Sequence, residues 1–137
     1  MRRILPALLL AAPTALAQPA PSDGGLSDPG WVRRQTAEIQ ALDKVNARVS
    51  SIRATVGQPA NFGTLTITVR ACHARPPDES PDSAAWVEIT DSRGAPVPGG
   101  GGIPPGGVVF RGWLFAERPA ANMLQHPVYD IRILACR

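Results

Sequence analysis

Alternation with a period of two runs through most of this chain. In LTITVRA, Leu65, Ile67, Val69 and Ala71 fall on one phase, with Thr64, Thr66, Thr68 and Arg70 on the other. That is the pattern of a half-buried strand, and its β-branched residues suit a pleated surface. Cys72 then falls on the polar phase, so a bridge from it is expected to close at the strand end or at a bend beyond it. Ala85, Val87 and Ile89 alternate with Trp86, Glu88 and Thr90 in a second strand, ended by the turn Asp91-Ser92-Arg93-Gly94. VVFRGWLF carries apolar bulk on both phases: Val109, Arg111, Trp113 and Phe115 against Val108, Phe110, Gly112 and Leu114. This predicts a central strand covered on both faces, with Gly112 relieving crowding or marking a bulge. Val128 to Ala135 reads as the closing strand, with Tyr129, Ile131, Ile133 and Ala135 on one side.

The earlier part is less regular. Ile39, Leu42 and Val45 recur at threes, which a helix tolerates. DKVNARVSSIRATVGQ reads better as a hairpin turning at Asn46-Ala47. Leu42 to Val45 would pair with a strand carrying Val49, Ile52, Ala54 and Val56, shifted in register by a bulge near Ser50-Ser51. APVPGGGGIPPGG has neither the lysine of a phosphate loop nor dinucleotide-binding spacing, and reads as a hairpin connection. Pro119 to Leu124 has room for one helical turn. The elements sum to an all-β domain: a small antiparallel β-sandwich or partly open barrel with at most one short helical turn.

The start of the chain is a targeting segment rather than fold. MRRILPALLLAAPTALAQP has a positive start, a short apolar run and the small-x-small pattern Ala15-Leu16-Ala17, which predicts cleavage before Gln18. The run is short of the ~20 residues that span a bilayer and contains Pro6 and Pro13, so no transmembrane segment is expected after cleavage. The predicted organisation is a signal peptide over 1–17, a flexible tether over 18–34 and one β domain over 35–137. The setting expected is the periplasm.

Charge changes the picture once that segment is removed. Arg2 and Arg3 account for two of the three net positive charges of the whole chain. No basic cluster remains to grip phosphates, which argues against a nucleic-acid partner. Cys72 and Cys136 are the two cysteines, each ending a similar run, ITVRAC and IRILAC. In an oxidising compartment they are expected to pair, with buried free thiols as the alternative. Closing a loop of about 64 residues is worth roughly 4 kcal/mol in the chain-entropy model.

The candidate chemistry lies in the tail, RPAANMLQHPVYDIRILAC. His126 could act as a base oriented by Asp130, with Tyr129 and Arg111 nearby. No serine sits in a recognisable nucleophile turn, and no histidine or cysteine spacing fits a metal, so neither a metal nor a cofactor is expected. A structural reading accounts for the same residues. Pro127 keeps His126 extended, His126 satisfies backbone carbonyls, and Asn122 caps or ends the helical turn. Tyr129 lays its ring on the core edge with a wet hydroxyl, and Asp130 pairs with Arg111 or Arg132.

ALDKVNARV, VGQPANFGTLTITVRACHARPP, AAWVEI and FRGWLFAERPAANMLQHPVYDIRILAC together resemble the bacterial family called domain of unknown function 2155. The resemblance implies an exported, periplasmic protein and brings no activity with it. Two functional readings follow. The first is a non-enzymatic domain that docks on a protein partner, such as an envelope complex, with Trp31, Trp86 and Trp113 as contact candidates. Trp113 has core burial as its simpler explanation. The alternative is a small-ligand binder or hydrolase in which His126, Tyr129, Asp130 and Arg111 converge on one pocket.

Overall fold

The computed structural model describes residues 30–97 and 99–137. The expected signal peptide and residues 18–29 of the expected tether lie outside the described residues. In chain order the strands are β1 (Val32–Arg34), β2 (Thr36–Asp43), β3 (Arg48–Thr55), β4 (Pro59–Phe62), β5 (Leu65–Ala74), β6 (Ser83–Asp91), β7 (Ala95–Pro96), β8 (Gly102–Ile103), β9 (Gly107–Phe115) and β10 (Tyr129–Cys136). The end of the segment read as a tether thus forms β1. A single 3-10 turn, Pro119–Ala121, is the one helical element described. None of the described helices is long and apolar enough to cross a membrane.

The strands form three antiparallel sheets and no closed barrel, as the alternation predicts. In the larger sheet β5 pairs on one edge with β1 and β4, and on the other with β6, which pairs with β9. In the smaller sheet β2 lies between β10 and β3. β7 and β8 make a two-residue ladder inside the glycine-proline stretch. The two main sheets face each other across one core. Ala37, Ile39 and Ala41 of β2 meet Leu65, Ile67 and Val69 of β5, Ala85, Val87 and Ile89 of β6, and Ile131 and Ile133 of β10. Each such valine, leucine or isoleucine contributes about 1.5–3 kcal/mol on burial.

Cys72 reaches this core although it sits on the polar phase of its strand. The β5–β6 register shifts between Val69 and Ala71, so Arg70 is an extra residue and the phase beyond it inverts. Cys72 then faces inward with Ala85. The β10–β2 register shifts in the same way between Ile133 and Ala135, turning Leu134 outward and Cys136 inward. Cys72 and Cys136 form the disulfide, Cα atoms 5.6 Å apart, and so tie the larger sheet to the smaller.

Three local readings are corrected. β2 begins at Thr36 and pairs with β3 without a register shift, so there is no bulge at Ser50-Ser51. Ser50, Ile52 and Ala54 share the phase of Ala41, Ile39 and Ala37, while Val49 is exposed. The turn between them is held by Asp43, whose carboxylate accepts from the Val45 and Asn46 amides at 2.9 and 3.0 Å. Finally, β9 is an edge strand and not a central one. Its core phase carries Phe110, Gly112 and Leu114, and its other phase, Arg111, Trp113 and Phe115, looks away from the core.

Candidate functional site

His126 sits just before β10 and is buried. Its Nδ1 accepts the backbone amides of Val128 and Tyr129 at 3.1 and 3.2 Å. An atom accepting two N–H groups carries no proton, so the proton is on Nε2, which donates to Asp91 Oδ2 at 2.8 Å. The ring stacks on Tyr129 with centroids 5.3 Å apart. The His126 carbonyl accepts the Lys44 ammonium. His126 therefore accepts backbone amides, where the sequence reading had it satisfying carbonyls.

Asp91 is the last residue of β6 and one of the most buried side chains. Burial pushes its carboxyl up, but bonds from the Arg93 amide, Thr64 and His126 outweigh that and hold it below the ordinary value of 3.8. The Arg93 amide bond is 2.8 Å. The Gly94 and Gly106 amides donate to the Asp91 carbonyl. One residue thus gathers the β6 turn, the start of β9 and the start of β10.

Tyr129 completes this cluster. It is buried; its hydroxyl accepts the Thr64 amide at 3.3 Å, and its ring meets the edge of Phe62 at 5.5 Å. Gly63 sits against that ring with φ +56, a position where a Cβ would strike Tyr129.

The catalytic arrangement considered as the alternative for the tail is not formed. Asp130 alternates with Tyr129 along β10 and faces the other side of the sheet; Asp91 holds the imidazole instead. Arg111 lies on the outer face of the larger sheet, where its Nε and Nη2 bind Glu88 at 2.8 and 2.7 Å, not Asp130. A general base needs a lone pair aimed at a substrate proton, and both His126 nitrogens are occupied. Beside the cluster lies an open cleft of about 590 Å³ lined by Lys44, Val97, Met123, His126 and Asp130 among others. The His126 side chain is only 3% exposed and offers this cleft little more than its edge. Among the described residues no group of three or more His, Cys, Asp or Glu stands together as a metal site.

A different surface brings the remaining candidates together. On the outer face of the larger sheet, Ala71, Trp86 and Trp113 lie in one cross-strand row. The next row is Arg33, His73, Ala84 and Phe115. The row on the other side is Thr68, Glu88 and Arg111. Ala71 and Ala84 leave room for the large rings. Trp86, Trp113 and Phe115 are half-buried, so Trp86 faces outward as its phase predicts and Trp113 is not a core residue. The His73 ring lies 5.9 Å from that of Trp113, and its Nδ1 is buried without a hydrogen-bond partner among the described residues. Burial and the nearby Arg33 charge hold this imidazole below its ordinary pKa. The Arg118 guanidinium lies over Phe115 at 5.6 Å. Trp31 stands apart under Arg75, 4.5 Å from the guanidinium carbon to the ring centroid.

Asn122 belongs to the rim of this face. It ends the 3-10 turn as its C-cap residue, as expected, and its amide donates to the Trp113 carbonyl at 2.9 Å and so covers part of the open β9 edge. Gly112, with φ +155 and the Asn122 amide over it, fits that close approach.

Asp91, Lys44, His73, Arg33 and Phe115 were missing from the sequence-level candidates. Asp91 had a readable signal: it continues the apolar phase of Ala85, Val87 and Ile89, and a carboxylate on a core phase needs a buried partner.

A family model described as an uncharacterised protein conserved in bacteria matches residues 37–136. No curated protein and no solved structure matches the chain. The match spans both main sheets except β1, together with the disulfide, the His126 cluster and the aromatic face except Arg33. The chain belongs to the DUF2155 family.

Proposed function

We propose that this domain is a non-catalytic docking module of the bacterial envelope, exported to the periplasm, which binds a protein partner through the outer face of its larger sheet. One observation carries the reading: Trp86 and Trp113 stand side by side, each partly exposed, on the outer face of the larger sheet. Tryptophan and arginine dominate the energetics of protein interfaces, and here Arg33, Arg70, Arg111 and Arg118 surround the rings. The occupied nitrogens of His126 favour a structural role for the tail over the hydrolytic alternative. A small ligand in the Lys44–Asp130 cleft is the second reading, supported by exposed Val97 and Met123 beside those two charges.

The test is affinity purification of the tagged full chain from crosslinked native envelopes, comparing wild type with a Trp86→Ser/Trp113→Ser variant. A protein recovered in stoichiometric amount with wild type and lost with the folded variant is expected. Equal recovery with both would move the docking surface elsewhere.

A further inference from the structure

The rim charges of the aromatic face are unbalanced. Glu88 is shared by Arg111, at 2.7 Å, and Arg70, at 3.6 Å, so one carboxylate meets two guanidinium groups. Arg33 is exposed and makes no ion pair among the described residues. Arg118 pairs with Asp82 at 3.7 Å. The rows that hold Trp86, Trp113 and Phe115 are therefore flanked by an excess of positive charge.

We infer that the occupant of this face is a protein surface rich in carboxylates, an inference that rests on the docking reading above. Covering the tryptophans removes water from the arginines beside them. A desolvated guanidinium is costly unless a carboxylate meets it, and complementary charge is what fixes partner choice and register.

Two other occupants fit less well. A second copy packed face to face would set the same positive rim against itself, because a twofold interface uses the same patch on both sides. A membrane surface needs apolar groups that reach about 5–10 Å into the headgroup boundary, as on an amphipathic helix. Trp86 and Trp113 instead lie half-buried within a sheet face.

The experiment places a photo-reactive amino acid at Thr68, on this face, and separately at Arg53, on the smaller sheet, in the full chain in its native bacterium. The crosslinked peptides are then sequenced. The expected result is a protein crosslink from Thr68 and not from Arg53, to a segment dense in Asp and Glu. Arg33→Glu should lower its yield about tenfold, Arg33→Lys should keep most of it, and the complex should weaken as salt rises from ~50 to ~500 mM. Arg33 is exposed in the middle of a three-residue edge strand, and thermal unfolding of both variants verifies that they fold. A Thr68 crosslink to a neutral or basic segment, insensitive to Arg33→Glu, would overturn the acidic partner and leave docking intact. Crosslinks only to lipid, only to a second copy, or to nothing would overturn both.

Discussion

Arg70 and Leu134 are counterparts: each is the extra residue of a β-bulge, and each stands two positions before a cysteine of the same disulfide. ITVRAC and IRILAC thus do the same thing in opposite sheets. The bulge inverts the phase of its strand, and the cysteine beyond it turns into the core. Deleting Arg70 removes only the extra residue: the pairs Val69–Val87, Ala71–Trp86 and Cys72–Ala85 then follow one another in strict alternation, and Cys72 stays on the inward phase. The expected outcome is an intact disulfide, with no free thiol on alkylation and mass analysis of the oxidised protein. Deleting both Arg70 and Ala71 shifts Cys72 to the outward phase, and two free thiols are expected, with a stability loss of about 2–5 kcal/mol from the missing bridge. Free thiols in the single deletion, or a native disulfide in the double deletion, would contradict this role for the bulge.

The His126–Asp91 pair predicts a stability effect rather than a catalytic one. His126→Phe removes the acceptor for two amides and the donor to a buried carboxylate, and is expected to cost about 3 kcal/mol in denaturant unfolding. Asp91→Asn should cost less, since the amide oxygen still accepts from His126. It should also change the acid limb. The folded carboxyl of Asp91 is held below 3.8, so its contribution is present above that pH and is lost as pH falls through the folded value. Wild-type stability should fall more steeply there than that of Asp91→Asn. Parallel curves would remove Asp91 from the account. Asp43, lowered chiefly by its bonds to Asn46, adds a slope of the same sign to both proteins.

His73 gives a second pH dependence at milder acidity. Its folded pKa lies below the ordinary 6.5. The unfolded chain therefore takes up a proton first, and the contribution present above 6.5 is lost as pH falls towards the folded value. Denaturant midpoints measured at pH 7.5 and 5.5 should differ in wild type and differ less in His73→Gln. An unchanged difference would show that the imidazole is not the group responsible.

Two glycines separate backbone strain from collision. Gly57 and Gly63 both have positive φ, but a Cβ at Gly57 meets nothing within 4 Å while one at Gly63 strikes the Tyr129 ring. Gly57→Ala is expected to cost about 1–2 kcal/mol from strain alone, and Gly63→Ala clearly more. Equal losses in thermal unfolding would mean that Tyr129 moves aside freely.

Much of the fold was legible because it rests on local alternation. β5, β6 and β10 declare their core phases through Leu65–Val69, Ala85–Ile89 and Ile131–Ile133. Two features were hidden because they depend on what lies across the sheet. β9 is apolar on both phases whether it is central or an edge strand; its edge position follows from strand order, which alternation does not encode. The partner of His126 was sought in Asp130, four residues away, whereas β10 turns that carboxylate to the opposite face and the topology delivers Asp91 from a distance of 35 residues. The aromatic face was half legible: the phase of Trp86 pointed outward, but the row it shares with Trp113 needed the β6–β9 register.

The central claim, that a protein partner covers the outer face, is tested most directly by tryptophan oxidation footprinting. Oxidation of Trp86 and Trp113 is measured by mass spectrometry for the purified protein and for the same protein in intact native envelopes. Several-fold protection of both residues in the envelope, with little change at Trp31, is the predicted result. Equal oxidation of Trp86 and Trp113 in the two preparations would contradict it.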